Sequence, residues 1–311
     1  MIIDQPGFYF DFPVDAYHRD PCPAPSFTQS IAKLLIERSP AHAAAAHPRL
    51  TPPEADDEAP ESYVVAQAIG NAAHAMLIGR GKTLAVAGFD TWRTKEAKAF
   101  KAEALDAGRV PILEKHHARA VAMVAAARAQ LDAAGWTDVF ADGIGHGEVV
   151  VAWQEDGLWF RTMIDWMAEP TRPVDYKSTA LSAAPHAVGR LMADAGWDIQ
   201  AAMHERALDA VDPDNRGRRR HRFVCQENEP PYALTPVELT EATLTMGRKR
   251  LDYAIRLWRE AMATGAWPAY PPEVVRPEYP AWKESQWLAR EVEEAERRPR
   301  RGQMLNSLMG G

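Results

Sequence analysis

The chain has 311 residues, with 36 Lys plus Arg against 43 Asp plus Glu, a formal charge of −7 and 46% hydrophobic residues. Those figures exclude a wholly disordered chain and a uniformly basic nucleic-acid coat, and no window approaches the roughly 18 apolar residues of a membrane helix. The only cysteines, Cys22 and Cys225, exclude a disulfide framework and a four-thiolate iron–sulfur site. The opening MIIDQPGFYFDFPVD lacks a basic stretch followed by an apolar one, so a reducing, cytoplasmic setting is expected.

In chain order, SFTQSIAKLLIERSP predicts a helix from Ser26, with apolar Ile31, Leu34 and Leu35 and a Ser39-Pro40 stop, followed by an Ala-rich helix. The acidic, Pro-rich stretch Thr51 to Pro60 predicts a linker. Helical spacing then returns in ESYVVAQAIGNAAHAMLIG, and two further helices are predicted, closed by Gly108 and Gly135 and the second opened by Pro111. From Gly147 the pattern changes. Alternating Val149, Val151, Trp153 and Phe160, Thr162, Ile164, Trp166 flank Glu155-Asp156-Gly157, which predicts a hairpin. PVDYKST predicts a third strand, a helix is expected from Ser182 through WDIQAAMHERALDA, and RFVCQE supplies another strand. A long helix from Thr235-Pro236 follows, and a flexible basic tail is expected over 291–311. This order predicts one mixed α/β domain, a central sheet flanked by helices with helical elaborations at both ends. The expected divisions are 1–60 for the N-terminal segment and linker, 61–290 for the core and 291–311 for the tail.

Familiar motifs are absent. GRGKT at Gly79 lacks the first glycine of a phosphate loop, Met76 standing in its place, and follows a helix instead of a strand. GIGHG at Gly143 leads into a strand, where a dinucleotide fingerprint opens a helix. No nucleotide cofactor is expected.

The chemistry gathers in TMIDWM and PVDYKST. Aspartate is depleted in strands, and alternation puts Asp175 and Lys177 on one strand face with Val174 and Tyr176 on the other. If the hairpin strand lies alongside, Asp165 joins them, and two carboxylates on a half-buried face repel each other unless a cation intervenes. Hard oxygen donors suit Mg²⁺ or Mn²⁺, which take further ligands from phosphates, so a phosphodiester substrate is expected. Lys177 would orient or deprotonate the attacking water and offset charge on the phosphate. Glu148 and His74 are further candidates for the cluster. Each residue alone also suits a surface ion-pair network; the ordered set is what points to a site.

With those residues in view, the sequence resembles the PD-(D/E)xK nuclease superfamily, its RecB-like branch and the exodeoxyribonuclease VIII (RecE-like) family of phage recombination exonucleases. SFTQSIAKLLIERSPAH resembles the opening helix, GNAAHAMLIG the helix with the metal-binding His, EVVVAWQ the glutamate strand, TMIDWM and VDYKST the split acidic motif, and WDIQAAMH the glutamine motif. The resemblance implies a restriction-endonuclease-like core and a Mg²⁺- or Mn²⁺-dependent exonuclease, with two ions, acting 5′ to 3′ on double-stranded DNA ends. It implies that His74, Asp165, Asp175 and the Tyr176 carbonyl ligate metal, that Lys177 is the catalytic lysine, and that Glu148 and Gln200 support the site. Ser178 and His204 stand where the family usually has Thr and Tyr; both are expected near DNA, as imidazole can bond a phosphate. The lack of four cysteines excludes the iron–sulfur subgroup.

The basic loop RGRRRHR offers Arg216, Arg218, Arg219, Arg220 and Arg222 as phosphate contacts. By family analogy a ring-shaped homo-oligomer is expected, with a single-strand annealing recombinase as a possible partner; a related endonuclease and a catalytically silent DNA-binding scaffold stay open as alternatives.

Overall fold

The computed structural model of the chain describes residues 1–51 and 61–309. In order the elements are β1 (Gly7–Tyr9), α1 (Val14–His18), β2 (Ser26–Phe27), α2 (Gln29–Glu37), α3 (Pro40–Ala46), α4 (Glu61–Ile78), β3 (Leu84–Ala87), α5 (Lys95–Asp106), β4 (Val110–Leu113), α6 (Glu114–Ala133), β5 (His146–Glu155), β6 (Leu158–Met167), β7 (Pro173–Thr179), α7 (Pro185–Ala195), α8 (Trp197–Val211), β8 (Arg222–Glu227), β9 (Leu234–Glu238), α9 (Glu241–Thr264) and α10 (Ala281–Met309). Two compact units divide the chain, Met1–Tyr270 and Pro271–Gly311. Among the described residues no helix is long and apolar enough to cross a membrane.

The first unit is a mixed sheet ordered β1-β5-β6-β7-β8-β9, with β2 parallel to β6. β7 and β8 are parallel, and the other pairs along that order are antiparallel. The β5–β6 hairpin forms where expected because Asp156 and Gly157 both take positive φ, 48° and 80°, the mirror-image turn that matches strand twist. That turn pairs Glu155 with Leu158 and sets the register of the whole ribbon.

The side chains sort into two cores, by alternation along β5 and with a change of phase on β6 between Ile164 and Trp166, which the sequence pattern had placed on one face. Val149, Val151, Trp153, Phe160 and Ile164 pack with buried residues of α2, α8 and α9, including Ile31, Met203 and Trp258. Trp166, Val174, Tyr176 and Val224 pack with α4 and α6 through Ile69, Leu77 and Met123. The sheet is therefore covered by helices on both faces, the three-layer solution for a buried mixed sheet.

Several expectations need correction. The helix foreseen from Ser182 breaks at Gly196, whose φ of 74° suits glycine and separates α7 from α8. Thr235-Pro236 opens no helix: Leu234–Glu238 is a strand on the sheet's edge, where proline's missing N–H is tolerated, and the long helix starts after the Thr240 cap. Pro111, expected to open a helix, lies instead in the strand Val110–Leu113, which pairs in parallel with Leu84–Ala87. The stretch from 291 continues α10, sustained by Trp287 Nε1 donating to Glu291 (2.8 Å) and by the Arg290–Glu294 pair (3.3 Å). The N-terminal residues do not stand apart, since β1 and β2 join the sheet. The predicted linker lies, from residue 52 onward, outside the described residues.

Candidate active site

Counting back along the ribbon from the turn places Glu148 across from Asp165, between the pairs Gly147–Trp166 and Val149–Ile164. Counting on from Trp166–Val174 places Asp165 across from Asp175, one step beyond the last paired rung of the β6–β7 ladder. Three carboxylates thus occupy one row across three adjacent strands, at the fork where β6 and β7 part. At the fork, Asp165 Oδ2 accepts from the Tyr176 N–H at 2.9 Å. Glu148 takes a positive φ of 51°, a conformation that costs a non-glycine residue on the order of 1 kcal/mol and often marks functional sites.

Asp175 is buried at 1% side-chain exposure; one oxygen pairs with Lys177 Nζ, and the other accepts from Gln200 Nε2 on α8. On the other face Tyr176 packs in the α4–α6 core and donates its hydroxyl to Gln226 at 2.7 Å. The alternation read from PVDYKST is thus realised. His74 on α4 brings Nε2 to 3.3 Å from Asp165 Oδ2. On the same helix Gly70 faces Ser178, whose hydroxyl would have to turn aside for a Cβ there.

The electrostatics are those of crowded acids. Burial, then the neighbouring Asp165 carboxylate, pushes the Asp175 carboxyl up to about 7 despite Lys177. Burial alone would raise Asp165, but His74, Lys177 and the Tyr176 N–H outweigh it and hold it well below the usual carboxylate range. Glu148 is raised by burial, a shift that Asp165 adds to and His74 opposes. Burial draws His74 and Lys177 down, yet the surrounding carboxylates more than compensate and leave both raised. Among the described residues no three His, Cys, Asp or Glu side chains are already gathered as a metal cage. The donor set nevertheless suits a hard divalent cation: carboxylates at neighbouring positions of three adjacent strands and an imidazole, with acids that repel one another unless a cation lies between them.

A cleft of about 320 Å³ opens onto Asp165, Lys177 and Gln200, with Arg161 further along β6 and with Thr28, Gln29 and Ser30 at the start of α2 also lining it. Sequence reading missed this wall, although the Thr28 cap that accepts from the Ile31 N–H is the kind of signal that finds it. A second cleft of about 480 Å³ along α8 and α9 shares none of these residues and is lined by mutually paired charges such as Arg206 with Glu155 and Asp252.

The chain matches no protein-family profile and no curated protein. Its fold is similar to the crystal structure of a protein from Eubacterium rectale described as a "putative exonuclease", with a TM-score of 0.55 and 10% identity, over 88% of this chain and 96% of that one. At that identity the likeness is one of fold.

Other expected residues separate. In the loop before β8, Arg216, Arg218 and Arg220 are exposed. Arg219 is not available to DNA: its side chain is 1% exposed and is held by Asp209 and by Asp212 at 3.2 Å. Arg222 also turns inward, over the Trp136 ring at 4.7 Å and toward Asp138 and Glu238. The extended stretch 218–221 alternates outward and inward, so adjacent arginines cannot share one face. His204 is 2% exposed, and burial lowers it to about 4, so it is a neutral interior group without access to a phosphate.

Proposed function

We propose that this chain is a metal-dependent DNA exonuclease of the PD-(D/E)xK type, RecE-like, cutting linear duplex DNA 5′ to 3′ to leave single strands for recombination in a bacterial or phage-infected cell. The observation that carries the reading is the row Glu148, Asp165, Asp175 at a strand fork, with Lys177 on the same face as Asp175 and in contact with it. The exonuclease description of the similar fold supports the same class.

In this reading Asp165, Asp175 and the Tyr176 carbonyl, with His74 and Glu148 beside them, would hold one or two Mg²⁺ or Mn²⁺ ions. The bound metal would supply Lewis acidity toward the scissile phosphate and lower the pKa of the attacking water. Lys177, kept charged by the two aspartates, holds its ammonium where negative charge develops on the phosphate. Gln200 fixes the Asp175 carboxylate, and the cleft beside Lys177 admits a strand end. Exposed Arg216, Arg218 and Arg220 would track the DNA backbone without reading bases. A ring-shaped homo-oligomer and an annealing recombinase partner complete the proposal.

The test is digestion of end-labelled linear duplex beside a covalently closed circle, with Mg²⁺, Mn²⁺ or chelator. The expected result is cation-dependent loss of linear DNA alone, with release of the 5′ label first, and none of this with Lys177→Ala. Cutting of the circle would replace the exonuclease with an endonuclease, and binding without cutting would make the chain a silent scaffold.

A further inference from the structure

Gln200 owes its position to the first turn of α8, and that turn is held from its far side by α9. Asp198, two residues earlier, is 4% exposed, and its carboxylate oxygens lie 2.8 and 2.9 Å from Arg250 Nη1. Two helical residues differ by about 200° in direction, which agrees with Asp198 meeting α9 while Gln200 meets Asp175 on β7. Three positions before Arg250, Gly247 rests on the backbone of the same residue: a Cβ there would sit 2.6 Å from the Asp198 carbonyl carbon. Arg250 Nη2 also lies 3.9 Å from Glu37 on α2, the helix whose first turn lines the cleft. A carboxylate this buried is stable as an ion only with its cation in place, so the guanidinium governs how the first turn of α8 sits.

We infer that Arg250 is a positioning residue: by clamping Asp198 it sets the Gln200 amide against Asp175, and through it the orientation of the carboxylate that Lys177 shares. The inference rests on the nuclease reading for its consequence and on the contact chain alone for its geometry. It therefore has two readouts.

The first is the side-chain amide NMR signal of Gln200, assigned by its disappearance in Gln200→Ala and independent of catalysis. Asp198→Asn keeps the shape, leaves no unpaired buried carboxylate and guards against an Arg250→Ala that fails to fold. In Asp198→Asn and in folded Arg250→Ala the Gln200 signal is expected to move toward that of a free amide; an unmoved signal in either overturns the inference. The second is kinetic. Each variant is expected to lower kcat on linear duplex by on the order of tenfold with little change in KM, and to add no further loss to Gln200→Ala. Arg250→Lys should restore part of the kcat. Losses that multiply in the double variants overturn the inference. A wild-type chain that cleaves nothing overturns the nuclease reading, and the amide signal still decides the role of Arg250.

Discussion

At the scale of single residues, Asp175 sets burial and a neighbouring carboxylate against its own charge. Its carboxyl is buried and pushed up to about 7 by burial and by Asp165, far above the unfolded value. The fold therefore binds a proton there that the unfolded chain has released, and this group's contribution to stability falls as pH rises from the ordinary carboxylate range to about 7. Each unit of such a shift corresponds to about 1.4 kcal/mol. In chelator at pH 8, Asp175→Asn is expected to raise the thermal midpoint; at pH 4 the gain should largely vanish, because less of the carboxyl is then ionised in the fold. A midpoint lowered at pH 8 would mean that the Lys177 pair outweighs the repulsion. The same substitution is expected to abolish cleavage, so stability and activity should move in opposite directions, as at strained catalytic sites.

Among elements, the packing of α8 on α9 decides how the Gln200 turn meets the sheet, and Gly247 is its narrowest point. Glycine inside a helix ordinarily costs about 1 kcal/mol relative to alanine. Here a Cβ would strike the Asp198 carbonyl, and overpacking of this kind costs about 1–3 kcal/mol, so Gly247→Ala is expected to lower the urea midpoint. Much of this architecture could be counted from the sequence. The Asp156-Gly157 turn fixes the ribbon register and so sets Glu148 against Asp165, and alternation in PVDYKST separates Asp175 and Lys177 from Tyr176. What could not be counted depends on contacts distant in the chain. β1 and β2 are too short to show a period, β9 contains a proline, and the Asp198–Arg250 clamp joins residues 52 apart. The basic loop misled for the opposite reason: composition gathered five arginines, but backbone alternation turned Arg219 inward and contacts with Trp136 and Asp138 drew in Arg222.

For the whole molecule, acid stability should be set in part by two buried histidines. Burial lowers His204 to about 4 and His221 to about 3, and both His221 nitrogens lack a hydrogen-bond partner. With folded values below the unfolded 6.5, the unfolded chain takes up protons first as pH falls, so the folded state loses stability below about pH 6.5. At pH 5 each group costs on the order of 2 kcal/mol. His221→Leu, compared with wild type by urea unfolding at pH 7.5 and pH 5, should lose clearly less stability on acidification; an equal loss would show that His221 is solvated or protonated in the fold.

The central claim is that Glu148, Asp165 and Asp175 form one cation centre at the strand fork. Calorimetric titration of Mn²⁺ into the DNA-free chain tests it most directly, with Asp165→Ala and Asp175→Ala alongside. Saturable binding in the wild type that is lost in both variants is the predicted result. Binding that persists unchanged in either variant, or is absent from the wild type, would contradict it.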